Sequence, residues 1–268
     1  MNRVSLSTTV YRWGAALGLA VGLGVCASPA AAQSAAGPAL VAAAANMQAA
    51  LNELVPLFER NAAAKVSLSM GSSANLVRQI QQGLPAELFL SADEEFALKL
   101  ADAGLTPDQG VVYATGRIAL VVPKASLLKL DPQLAGLRDA LKTAPDMVQK
   151  FAIANPELAP YGKAAVQALQ KQVIWPQLQP KLVMGENIAQ TTQYISSGAA
   201  SGGITALALV LAPAVADKVR YVVVASELHS PIRQRMVLLK TASPAARTFY
   251  DFLQSPAAKA VLQRYGYE

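Results

Sequence analysis

Met70-Gly71-Ser72-Ser73-Ala74-Asn75-Leu76 joins two segments of different period. Before it, Lys65-Val66-Ser67-Leu68-Ser69 alternates polar and apolar residues, as a strand with one buried face does. After it, Leu76, Val77, Ile80 and Leu84 recur at helical spacing, with Arg78, Gln79, Gln81 and Gln82 on the other face. The seven residues therefore read as a strand end, a turn at Gly71 and a helix start. The first turn of a helix carries unpaired N–H groups and the positive end of the helix dipole, so it suits an anion. Ser72 and Ser73 at that mouth either cap the helix or meet a ligand; the stretch alone leaves both readings open.

Upstream, the chain begins with Arg3 and Arg12, an apolar run from Ala15 to Ala27, and Ser28-Pro29-Ala30-Ala31-Ala32. A basic start, a short apolar middle and an Ala-x-Ala exit predict a secretory signal over residues 1–32, cleaved after Ala32. The apolar run is short for a membrane span and is interrupted by glycines. Cys26 is the single cysteine and would leave with the signal. Val25 before it departs from the small residue that a lipoprotein signal requires. The mature chain then has no thiol for a disulfide, a metal or a nucleophile.

The remaining residues suffice for one large domain or two smaller ones. At 53% hydrophobic and 15% charged residues the chain reads as globular. Its net charge falls from +6 to about +4 once Arg3 and Arg12 are gone. No basic run interleaved with aromatics suggests nucleic acid, whereas a modest positive field favours small anions.

Downstream the pattern alternates. Ala39–Ala45 reads as a buried strand ending at Asn46, followed by a helix with Leu51, Leu54, Val55 and Phe58 inside and Pro56 expected to kink or delay it. Residues 87–91 form a short strand, and Asp93 caps a helix over 94–103; Asp93, Glu94 and Glu95 read as an ordinary acidic first turn. Ile118–Val122 is a continuous apolar strand. A less regular leucine-rich region precedes strand 151–154, helix 162–173 and strand 181–184. A helix starts near Ile188, and Ser201-Gly202-Gly203 reads as a break. Strands 219–225 and 235–240 lead to two helices announced by Ser243-Pro244 and Ser255-Pro256. This alternation predicts an α/β fold with mixed, mostly parallel sheets flanked by helices.

Several strand ends feed helix mouths: Ala45-Asn46, Gly71-Ser73, Ala159-Pro160-Tyr161-Gly162 and Gly185-Ile188. In α/β sheets ligands bind beyond the carboxyl ends of strands, where such mouths converge. Amide, hydroxyl and phenol donors without a formal charge suit a small ionised oxyanion.

The run Ala43-Ala44-Ala45-Asn46, then Gly71-Ser72-Ser73 with Arg78-Gln79-Ile80, Gly83-x-Pro85-Ala86 and Ser91-Ala92-Asp93, resembles the periplasmic molybdate-binding proteins of ABC transporters. The likeness continues through Val121-Val122-Pro123-Lys124, Asn155-Pro156, Ala159-Pro160-Tyr161-Gly162, Thr205-Ala206-Leu207 and Arg264-Tyr265-Gly266. It implies a two-lobed type II periplasmic binding protein with the anion in the cleft. Lobe one is expected at 33–116 plus 236–268 and lobe two at 117–235. The implied ligand set is Asn46 and the amide at Ala45, the Ser73 hydroxyl and amide, the Tyr161 phenol and the Ile188 N–H. Ala92 is a ligand in some relatives. In another branch the tyrosine sits near Ala206 and serine replaces Asn46. The resemblance further implies molybdate or tungstate as ligand, no cofactor, an inner-membrane ABC permease as partner, a monomer and a periplasmic location.

Two alternatives stand beside this reading. One is a binding protein for sulfate, thiosulfate or phosphate. The other is a secreted hydrolase. His229 is the single histidine, and without cysteine the common triads and zinc sites cannot be assembled.

Overall fold

The computed structural model describes residues 37–268. The expected signal over 1–32 and its cleavage site lie outside the described residues. From Gly37 onward the chain forms one compact unit.

Among the described residues, ten strands build two sheets. They are β1 (Ala39–Ala44), β2 (Val66–Gly71), β3 (Leu88–Leu90), β4 (Val111–Gly116), β5 (Ile118–Pro123), β6 (Phe151–Ala154), β7 (Leu182–Gly185), β8 (Gly202–Ala206), β9 (Val219–Val223) and β10 (Ile232–Leu238). The first sheet has the order β2-β1-β3-β10-β4 and the second β7-β6-β8-β5-β9. In the first, β1 runs parallel to β2 and β3, while β10 is antiparallel to β3 and β4. In the second, β6 runs parallel to β7 and β8, while β5 is antiparallel to β8 and β9. One arrangement is thus used twice, with no sequence repeat to announce it. Parallel neighbours are joined by helical crossovers, as the geometry of parallel pairing requires.

The helices are α1 (Gln48–Asn61), α2 (Ser73–Gln81), α3 (Glu95–Asp102), α4 (Ala135–Thr143), α5 (Pro160–Lys171), α6 (Trp175–Leu178), α7 (Ile188–Ser196), α8 (Leu207–Val210), α9 (Pro213–Ala216), α10 (Pro244–Leu253) and α11 (Pro256–Arg264). Leu51, Leu54 and Phe58 of α1 are buried, and Phe58 packs edge-on against Phe249 of α10 with ring centroids 4.9 Å apart. Pro56 does not interrupt α1. It and Asn52, whose carbonyl loses its partner there, both lie on the exposed face, where water can pair with that carbonyl.

The chain passes between the sheets twice. Arg117 alone separates β4 from β5, and residues 224–231 lead from β9 back to β10. β10 begins at Ile232, which pairs with Gly116, so residues 232–235 belong to the first sheet and not to the segment 117–235 expected for lobe two. The alternation Ile232, Gln234, Met236 places these three inward; a polar Gln at an inward position masked the start of the strand.

Other elements differ from the sequence reading, among them the short helices α6, α8 and α9. β4 was not anticipated as a strand. The leucine-rich region contains α4, whose start is held by the Asp131 carboxylate accepting from the amides of Gln133, Ala135 and Gly136 at 3.0, 3.0 and 2.7 Å. Leu134 before it is left-handed, with φ of 58°, so no ordinary capping residue marks the helix. Gly202-Gly203 is not a break but the first part of β8, central in the second sheet. A Cβ on Gly203 would lie 2.2 Å from the Ala152 carbonyl oxygen of β6, so the strands meet there only without a side chain.

Candidate functional site

Four helix starts point at one place. β1 ends at Ala44 and passes through a single 3-10 turn, Ala45–Met47, into α1; β2 ends at Gly71 and passes through Ser72 into α2. From the second sheet, β6 leads through residues 155–159 to α5, and β7 leads through Glu186 and Asn187 to α7. Ala44, Ala45, Asn46, Gly71, Ser72, Ser73, Ala92, Ala159, Pro160, Tyr161 and Ile188 line one cavity between the sheets. It is about 10 Å³ measured as room for the centre of a water-sized sphere, close to a single water site. All five residues named from the sequence, Ala45, Asn46, Ser73, Tyr161 and Ile188, are on this wall, and Ala92 is with them. None of the lining residues carries a formal charge. The field in the cavity comes from helix starts and hydrogen-bond donors.

Each donor is fixed by its neighbours. At α7, the Asn187 side chain accepts from the amides of Ala189 and Gln190, both at 3.0 Å, and so passes over the N–H of Ile188. The Ala92 N–H donates to Ser73 Oγ at 3.0 Å, which leaves the Ser73 hydroxyl hydrogen to point elsewhere. Ala92 therefore acts on the cavity through Ser73, its own amide being engaged. Ser72 stands at the N-cap of α2 and makes no capping bond; its Oγ is buried without a partner.

Asn46 and Tyr161 are joined by a buried relay that the sequence did not reveal. Asn46 Nδ2 donates to Gln234 Oε1 and to Tyr267 Oη, each at 2.9 Å. Gln234 Nε2 donates to Tyr161 Oη at 2.9 Å, and Tyr113 Oη donates to Gln234 Oε1 at 3.0 Å. Tyr267 Oη donates in turn to the Asn46 carbonyl at 2.9 Å. As oriented, both amide hydrogens of Asn46 are engaged and its Oδ1 is buried without a partner. Tyr161 Oη accepts from Gln234 and lies beside the hydroxyl of Tyr267. Burial pushes the pKa of Tyr113, Tyr161 and Tyr267 above the usual phenol range, so all three are neutral near pH 7. Bonded partners in the relay lie 73 to 221 residues apart in the chain, a separation no local motif reports.

Around the cavity the halves pack through Ala44, Ala45, Ala49 and Ala92 against Ala159, Tyr161 and Ile188, and three polar contacts join them. Besides Gln234–Tyr161, the Ala74 N–H donates to the Leu158 carbonyl at 3.2 Å, and Lys163 pairs with Glu95 at 3.4 Å. The acidic run is structural: Asp93 Oδ1 accepts from the Phe96 amide at 3.0 Å, one position off the expected start, and Glu94 pairs with Arg233 and Arg235 at 2.7 Å each. His229 is half-buried beside the second crossing, its Nδ1 2.8 Å from the Ser230 carbonyl oxygen. Among the described residues no three His, Cys, Asp or Glu side chains come together as a metal site.

Two sheets of this topology around an uncharged, donor-lined cavity define a solute-binding protein. The chain belongs to the bacterial extracellular solute-binding protein family, which it matches over residues 39–268. It is 34% identical over 255 residues to the molybdate-binding protein ModA of Rhodobacter capsulatus, covering 94% of both chains. It is 35% identical over 252 residues to ModA of Azotobacter vinelandii, covering 93% of this chain and 94% of that one. The solved periplasmic molybdate-binding protein of Azotobacter vinelandii superposes with a TM-score of 0.76 at 29% identity, over 86% of this chain and 98% of that one. The sulfate-binding protein SubI of Mycobacterium tuberculosis shares the fold, with a TM-score of 0.70 at 17% identity.

Proposed function

We propose that this protein binds molybdate, with tungstate as a close competitor, and delivers it to an ABC permease from the periplasm. The single observation that carries the reading is the convergence of four helix starts on one cavity with neutral donors and no charged side chain. The names borne by the similar proteins supply the ligand. Ala45 and Asn46 meet the anion from the first helix start by their backbone N–H groups, the Asn46 side-chain amide being held by Gln234 and Tyr267; Ser73 meets it by hydroxyl and amide, Ile188 by its N–H, and Tyr161 by its phenol. Each hydrogen bond to a charged oxygen contributes roughly 1.5–3 kcal/mol, so about six support micromolar or tighter affinity.

The protein acts as a monomer, needs no cofactor and performs no catalysis. A tetrahedral oxyanion exceeds a single water site, so it enters when the two halves part at the Tyr161, Ala74 and Lys163 contacts, and they close on it. Sulfate has the same charge but shorter bonds and cannot reach donors on both halves at once. Hydrogen phosphate carries a proton for which a wall of donors offers few acceptors. Calorimetric titration with molybdate, tungstate, sulfate and phosphate tests the reading. Molybdate and tungstate should bind alike and far more tightly than sulfate; equal affinity for sulfate would overturn the molybdate assignment.

A further inference from the structure

Ser72 occupies the N-cap of α2, where a serine ordinarily accepts a hydrogen bond from the second or third amide of its helix. Asn187, Ser243 and Ser255 do this at their own helices. Ser72 does not. The second amide of α2 belongs to Ala74, and the Leu158 carbonyl of the other half accepts it at 3.2 Å. Ser72 is only 3% exposed, lines the cavity, and its Oγ has no partner. A buried hydroxyl is rarely left in that state, because it has given up water for nothing.

Resting on the oxyanion reading, we propose that Ser72 is a further ligand of the anion, released for that role by an exchange of caps. With the halves apart, Ser72 caps α2. As they close, the Leu158 carbonyl takes the Ala74 amide, and the Ser72 hydroxyl turns into the cavity and donates to an anion oxygen. Closure and the presentation of a donor are then one event, and the donor is withheld from an anion too small to draw the halves together.

The test is calorimetric titration of the parent, Ser72→Ala and Ser72→Gly with molybdate, together with thermal unfolding without ligand. Glycine is nearly as good an N-cap as serine but has no hydroxyl. Both variants should lose about ten- to a hundredfold in affinity, with Ser72→Gly unfolding within about 2 °C of the parent. Parent-like affinity in both variants would overturn the proposal while leaving the molybdate reading intact. Loss of affinity in Ser72→Ala but not in Ser72→Gly would also overturn it, since capping alone would then account for the effect. A parent that binds none of these anions would remove the molybdate reading and this proposal with it.

Discussion

The hydroxyl of Tyr161 stands so close over Gly116 that a Cβ on Gly116 would lie 2.0 Å from it and 2.6 Å from Gln234 Nε2. The tyrosine comes from α5 beside the second sheet, the glycine from the last position of β4 in the first. The phenol reaches Gln234 only because residue 116 has no side chain.

Gly116→Ala should therefore displace the Tyr161 ring and break its bond to Gln234. Molybdate affinity should fall by at least tenfold, read by calorimetry. Affinity within twofold of the parent would mean that the ring has somewhere else to go and that its present position does not matter for binding.

Tyr161→Phe keeps the ring and removes one donor to a dianion. The expected loss is about ten- to a hundredfold, appearing mostly as faster release in stopped-flow. It also leaves Gln234 Nε2 without its acceptor, at a cost of about 1 kcal/mol in unfolding free energy. Unchanged affinity would make Tyr161 a packing residue.

Lys163→Met offers a contrast. Its ion pair with Glu95 joins the halves, but the two side chains are 61% and 54% exposed, and pairs of that kind contribute about 0–1 kcal/mol. Affinity should stay within about fivefold of the parent. A hundredfold loss would assign closure to the ion pair instead of the buried relay.

Affinity should be flat between about pH 6 and pH 8, because the three relay tyrosines titrate well above that range. Stability should respond at alkaline pH. A tyrosine whose pKa is raised on folding holds its proton longer in the native state, so the unfolded chain loses protons first above its ordinary pKa of about 10. Stability is fully present below that pH and declines as pH rises through it. Three such groups give a slope of up to about 4 kcal/mol per pH unit. Denaturant titrations between pH 9 and 11 should show it, and Tyr267→Phe should reduce it by one group's share, up to about 1.4 kcal/mol per pH unit; an unaltered slope would exclude Tyr267 from the effect.

The parts of the site set by local order were legible. Asn46, Ser73, Tyr161 and Ile188 each follow a strand end or open a helix, and such junctions leave their mark within a few residues. What stayed hidden depends on distant partners. Gln234 became significant only when β10 was seen between β3 and β4, and Tyr113 and Tyr267 only when both met it. Gly203 looked like a break because its reason for being glycine is the Ala152 carbonyl, some fifty residues earlier. The start of α4 was silent because its capping carboxylate, Asp131, reaches over the usual position.

The placement of β10 between β3 and β4 bears on how the protein comes into being. Everything needed for the second sheet lies in the uninterrupted stretch from Ile118 to Val223. The first sheet must wait, since the strand that bridges β3 to β4 emerges only after that whole stretch has been made. A chain delivered N-terminus first therefore holds β1 to β4 as an unfinished template with a gap in the middle. Completion of the gap brings Gln234 to Asn46 and Tyr113 and, once the halves meet, to Tyr161. The anion pocket is thus among the last features that a nascent chain can acquire, and an interrupted chain ending before Ile232 would contain every proposed ligand yet lack the strand that holds them in register.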